Sequence, residues 1–212
     1  MIDTLKENRL IRKGKKLLTK GKLEKAYRCF EKAVMLNNSI NNRFYLGLSM
    51  MSLTRFADAK KIFTDIRKED EENELNLLSL AECNMMLRKW LEAENIYRKL
   101  HKMFPNNEAY KEYLERSQDV IYREKYVIAR ELFSKAERAL FAKDKKEALK
   151  HLLEAEEYNP NSSMILNNIA SLYMLLKKYE EAYPYIERAI TISPDNQRFQ
   201  KNYISIKRKL RK

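Results

Sequence analysis

The sequence predicts an all-α fold: a stack of about five helix-turn-helix repeats with extra closing helices, in two blocks joined by a long helix. Three observations carry this expectation. Glycine (3) and proline (4) are scarce in 212 residues while charged residues make up 34%, a balance that suits long helices better than sheets. Five alanines, Ala26, Ala59, Ala93, Ala148 and Ala182, follow one another at 33, 34, 55 and 34 residues, the third spacing being one period with 21 residues inserted. Around each alanine, small and bulky apolar residues recur in register.

The register gives each element its reason. Twelve residues before each alanine stands a small residue: Gly14, Gly47, Ala81, Ala136 or Ala170. Two antiparallel helices approach closely only where side chains at the crossing are small, and these residues with the alanines supply such a crossing. Four residues after each alanine lies Phe30, Phe63, Tyr97, Leu152 or Ile186, and seven after lies Ala33, Ile66, Leu100, Ala155 or Ala189. These form a stripe on the second helix that a neighbouring pair must cover, so stacking is obligatory. Short polar turns such as Lys20-Gly21-Lys22 and Ala142-Lys143-Asp144 separate the two helices, and Pro105, Pro160 and Pro194 end the last three segments. Ser163–Asn196 shows the design most clearly, with Pro184 expected to bend its second helix locally.

This pattern resembles the tetratricopeptide repeat (TPR) family over roughly 170 of the 212 residues. The resemblance implies a right-handed α-solenoid. It sets an N-terminal block over residues 1–128, with repeats at about 7–39, 40–73 and 74–107 and a closing or linker helix at 108–128. A C-terminal block over 129–212 holds repeats at about 129–162 and 163–196 and a basic closing helix at 197–212. Departures from the family pattern are Arg43 at the large fourth position of the second repeat, Asn38 and Glu71 in place of the closing proline, and Lys13 and Lys135 at a position usually leucine-like. Each lysine begins a block, where an exposed flank tolerates it.

At the junction, no glycine or proline occurs between Pro105 and Pro160, and Tyr110, Leu114, Ser117, Ile121, Ile128, Leu132, Ala136 and Ala139 keep nearly one helical face. The favoured expectation is a continuous or mildly bent helix over about 107–142, which would hold the blocks at a defined angle. The alternative is a break near Ser117-Gln118-Asp119.

Little in the chain points to chemistry, and the expectation is a protein that is not an enzyme and has no catalytic residues, cofactor or metal. His101 and His151 stand alone without ligand partners at metal spacing, and His151 reads as a helix-surface residue. No glycine-rich phosphate loop exists, and Glu69-Asp70-Glu71-Glu72 reads as a solvated turn. Cys29 and Cys83 have no paired spacing and read as free buried thiols in a reducing cytoplasm. Apolar runs are too short to span a membrane, and the opening MIDTLKENRLIRKGKK lacks the apolar core of a secretory signal, so the expected location is cytoplasmic.

The resemblance places an inner surface on first-helix positions 2, 5, 9, 12 and 13 of each repeat. Fifteen of those 25 residues are apolar, more than a water-filled groove suits. The function expected is therefore an adaptor or scaffold that binds a partner peptide or helix there, with Phe44, Leu48, Met51, Leu78, Met85, Met86, Phe133 and Phe141 as anchors. Burial of much of this surface by tight superhelical packing, or by the chain's own inserted helix, is the alternative. The family's chaperone-type subset grips a C-terminal carboxylate with lysine and asparagine; the corresponding places hold Ile11, Lys15, Tyr45, Leu75 and Ser79, so that clamp is absent.

Charge suggests a second function. The first 32 residues and the last 16 each carry a net +7, which leaves the middle at −1 of the total +13. Lys201, Lys207, Arg208, Lys209, Arg211 and Lys212 are the candidate anion-binding residues, for nucleic acid or an anionic membrane surface. A solvated helix end in a lysine-rich chain is the simpler account. Self-assembly, one molecule filling another's groove, is a third reading.

Overall fold

Residues 2–211 are described by the computed structural model, and among them are twelve α-helices and no strand. In chain order they are α1 (Ile2–Thr19), α2 (Leu23–Leu36), α3 (Ile40–Ser52), α4 (Phe56–Glu69), α5 (Glu74–Met86), α6 (Trp90–Met103), α7 (Glu108–Gln118), α8 (Val120–Phe141), α9 (Lys145–Tyr158), α10 (Ser163–Leu175), α11 (Tyr179–Ile192) and α12 (Gln197–Leu210). Five antiparallel pairs, α1–α2, α3–α4, α5–α6, α8–α9 and α10–α11, are the five repeats, and α7 and α12 are the additional helices. The chain divides into two compact units, Met1–Arg123 and Glu124–Lys212.

Every repeat turns in the same way. The residue five before each marker alanine lies in the left-handed region: Gly21 (φ 68°), Thr54 (60°), Arg88 (55°), Lys143 (65°) and Lys177 (61°). In each case two bonds close the preceding helix. In the second repeat, Arg55 N–H donates to Met50 O (2.8 Å) and Thr54 N–H to Met51 O (2.8 Å). This paired closure satisfies helix-end carbonyls that would otherwise lack partners, and glycine suits it best because it has no Cβ. Only the first repeat uses glycine, so the other four rely on side chains that tolerate the conformation poorly.

Helices α3, α5, α7, α10 and α12 begin on side-chain caps. Ser39, Asn73, Ser162 and Asn196 accept from the backbone N–H of Asn42, Asn76, Ile165 and Phe199 respectively, and Asn107 accepts from Ala109 N–H. Such caps contribute about 1 kcal/mol each.

The crossings show why glycine stands at 14 and 47. A Cβ built at Gly14 would lie 2.6 Å from the Phe30 ring, and one at Gly47 would lie 2.6 Å from the Phe63 ring. The small residue thus makes room for the aromatic four residues after the alanine. Phe30 and Phe63 are fully buried, as are Ile66, Leu77 and Leu100 in the first unit. In the second unit, Leu132, Phe133, Leu152, Ile165 and Ile169 form one cluster, and Leu166, Ile186, Phe199 and Ile206 form another. Each fully buried large side chain is worth about 1.5–3 kcal/mol.

The departures from the family pattern are accommodated locally. Arg43 is half-buried and forks onto Glu69, with Nη1–Oε1 at 2.7 Å and Nη2–Oε2 at 2.6 Å. A bidentate ion pair therefore holds the α3–α4 pair where a large apolar residue is usual. Lys13 and Lys135 are exposed. Helix α11 runs unbroken through Pro184.

The continuous helix over 107–142 is not formed. Asp119 has an extended backbone (φ −74°, ψ 111°), and its Oδ1 accepts from both Ile121 N–H and Tyr122 N–H at 2.9 Å. A carboxylate accepting two of a helix's free N–H groups starts a new helix more favourably than it continues an old one. The expected linker helix over 108–128 is accordingly two pieces: α7 ends at Gln118, and α8 begins nine residues before the fourth repeat's register.

Candidate interaction surfaces

In the first unit, the expected anchors fall into two groups. Phe44, Leu48 and Met51, at i, i+4 and i+7 of α3, are half-buried along one face, and Leu78 of α5 is also half-buried. Phe44 rests on Phe63 (ring centroids 5.7 Å) and on Tyr45 (6.1 Å). Tyr45 in turn stacks on Phe30 at 5.6 Å and carries Lys15 Nζ 4.1 Å above its ring. Met85 and Met86 are buried, so they serve packing in this unit and are not open to a partner.

Close to α5, the chain covers itself in part. Tyr97 and Tyr113 meet at 5.7 Å and Tyr110 and Tyr113 at 6.2 Å, which brings α7 onto α6. Tyr110 donates to the Glu74 carboxylate, tying α7 to the start of α5. Arg123 lies 5.0 Å over the Trp90 ring. Burial, with the Glu82 carboxylate nearby, pushes the Tyr97 phenol well above its usual value.

In the second unit, Phe133 is buried in the core, whereas Phe141 is 65% exposed. Leu140, Met164 and Leu175 are exposed as well, at the same inner register of α8 and α10. Asn202 of α12 donates to Asn167 Oδ1 (2.8 Å) and Ser171 Oγ (3.2 Å), which docks the closing helix on inner positions of α10.

Structure separates the cations of α12 into two sets. Lys207 is half-buried, with Nζ donating to Tyr203 Oη at 3.1 Å, and Tyr203 Oη lies 3.5 Å from that of Tyr183. Hydrogen bonding to Tyr183, and then to Lys207, lowers the Tyr203 phenol below its usual value. Lys201, Arg208, Lys209 and Arg211 are exposed, and Lys212 lies outside the described residues. Arg198, which sequence reasoning passed over, is exposed beside them; its one legible signal is the i, i+3 spacing to Lys201.

Among the described residues no group of His, Cys, Asp and Glu is placed to hold a metal ion. Cys29 and Cys83 are free and buried, and burial pushes the Cys83 thiol up to about 12. His151 is half-buried, not on the helix surface, with Nε2 3.3 Å from Glu147 Oε1. No helix among the described residues is long and apolar enough to cross a membrane.

Comparison with known proteins agrees with this architecture. The family model described as tetratricopeptide repeat matches residues 163–196, and that of anaphase-promoting complex, cyclosome, subunit 3 matches residues 19–100. No curated protein matches the chain. The APC/C hetero-tetramer Cut9–Hcn1 has a similar structure at 14% identity and TM-score 0.50, over 94% of this chain and 42% of that one. A tetratricopeptide repeat protein from Parabacteroides merdae is similar at 17% identity and TM-score 0.49, over 96% and 86%. The TPR2AB domain of yeast Sti1, in its complex with pHSP90, is similar at 14% identity and TM-score 0.48, over 96% and 84%. At 14% identity the likeness to Cut9–Hcn1 concerns the fold alone.

Proposed function

Because the chain belongs to the tetratricopeptide repeat family, whose repeats build protein-binding surfaces, we propose that it is a non-enzymatic adaptor or scaffold gripping a partner peptide or helix on its inner register. One observation carries the reading: Phe44, Leu48 and Met51 form an i, i+4, i+7 apolar row on α3 that stays half-exposed beside Leu78. A row with that spacing matches the apolar face of an extended or helical peptide. Side chains with flat rings or flexible thioethers adapt to a partner at little cost. The two free buried thiols suit a cytoplasmic setting.

The test is selection from a random peptide library. Selected peptides should lose binding to the Leu48→Asp and Met51→Asp variants while the thermal midpoint and helical content of the variants stay near those of the parent. Peptides that bind parent and variants equally would refute the use of this face.

A further inference from the structure

We infer that the second unit takes an acidic amphipathic segment of a partner protein on the face shared by α8, α10 and α12. The inference rests on the adaptor reading and names the partner's chemistry at a second place.

The face combines apolar and cationic surface. Phe141 at the end of α8 and Leu175 at the end of α10 are 65% and 57% exposed. They hold the same position in consecutive repeats, and α8 and α10 share one core through Phe133, Ala136, Ile165 and Ile169. Their apolar surface is therefore presented at one end of one face. Closing helix α12 borders this face, because Asn202 donates to the inner-register Asn167 and Ser171 of α10.

Helix geometry then places the charge. Phe199 and Ile206 fix the core side of α12. At about 100° per residue, the surface on the Asn202 side leads away from the core to Arg198, then to Lys201 and Arg208. All three are exposed, and none pairs with a carboxylate among the described residues. Residues 197–212 contain no acidic side chain that could neutralise them. On α8 the inner register carries both Glu137 and Arg130, whose charge acts on that carboxylate, whereas α12 carries cations without an acidic residue.

Complementarity selects the occupant. A helix with a leucine row meets Phe141 and Leu175, and glutamates along its flank meet Arg198, Lys201 and Arg208. A nucleic acid would gain from the cations but not from burying Leu175. Lys207 is held by Tyr203 on another side of α12 and takes no part.

The experiment uses the full chain and four probes: a helical peptide with leucines at i, i+4 and i+7 and glutamates on its flanks, the same peptide with lysines for glutamates, a single-stranded oligonucleotide, and vesicles containing anionic lipid. The acidic peptide should bind and the lysine peptide should not. Binding should fall by about tenfold or more in Lys201→Glu/Arg208→Glu, as expected for two reversed surface charges. It should fall similarly in Phe141→Ser/Leu175→Ser, whose exposed positions keep the fold intact, and should stay unchanged in Leu91→Ser, an exposed apolar position of α6 outside this face. Equal binding of both peptides, or binding of the oligonucleotide or vesicles without the acidic peptide, would overturn the inference. Library peptides that depend on Leu48 while the acidic probe fails would overturn it and leave the adaptor reading standing. Failure of both peptide tests would remove both.

Discussion

Replacing Gly47 by alanine tests how tightly the repeat helices cross. The added Cβ would stand 2.6 Å from both Cε1 and Cζ of Phe63 and 3.3 Å from Cδ1. Carbon atoms rest at about 3.5–4.0 Å, so the ring or the helix must withdraw by about 1 Å. The ring has nowhere to go, since Phe63 is fully buried and Phe44 packs against it at 5.7 Å. Overpacking of this kind costs about 1–3 kcal/mol, while alanine's better helix propensity returns about 1 kcal/mol. The expected net loss is about 1 kcal/mol, read as a lower urea midpoint at unchanged slope. A second background sharpens the test. In Phe63→Leu the shorter side chain leaves room, so adding Gly47→Ala there should be neutral or stabilising, a coupling of about 1–2 kcal/mol. Four of the five repeats already carry that pairing, with Gly14 opposite Phe30 and Gly47 opposite Phe63, but Ala136 with Leu152 and Ala170 with Ile186, while the third sets Ala81 with Tyr97. Equal stabilisation by alanine in both backgrounds would show that the crossing is loose and refute the reasoning.

Two further outcomes are expected. Thr54 is β-branched and holds φ at 60°, so Thr54→Gly should raise stability by about 1 kcal/mol in the same denaturation assay, and a loss would argue against backbone strain at the turn. The Cys83 thiol, pushed up to about 12 by burial, should resist a thiol reagent at neutral pH until the chain unfolds; labelling as fast as a free peptide thiol would contradict that burial. The sign of the linkage follows. The folded value exceeds the ordinary thiol value of 9.0, so the unfolded chain releases this proton first, and the contribution to stability declines as pH rises from 9 toward 12.

What the sequence alone determined is the repeat architecture, because period and residue size are properties of a one-dimensional pattern. Five alanines in register, with small residues before them and bulky ones after, require paired helices that stack, and five such pairs are present. Two closing helices were equally legible, and Tyr110 of α7 and Phe199 of α12 are buried. The helix break was legible only as the less favoured alternative, since an unbroken apolar face ran across Asp119. Two backbone N–H groups captured by one carboxylate decided it, and that capture competes with the helix at a cost that periodicity does not register. The left-handed turns at Thr54, Arg88, Lys143 and Lys177 escaped notice for a related reason: repeat packing imposes them on residues that do not prefer them.

Tertiary structure decided which inner-register residues are surface and which are core. Sequence position treats Met85, Met86, Phe133 and Phe141 alike, yet three are buried and one is 65% exposed. Burial depends on what lies over a residue, and that depends on contacts far away along the chain. The same holds for the cations of α12. They form one run in sequence, but Asn202 docks the helix on α10 in a way that leaves Lys201 and Arg208 exposed while Lys207 turns to Tyr203. A helix spreads a charge run around its axis at about 3.6 residues per turn, and only its docking contacts say which part of that run meets a partner.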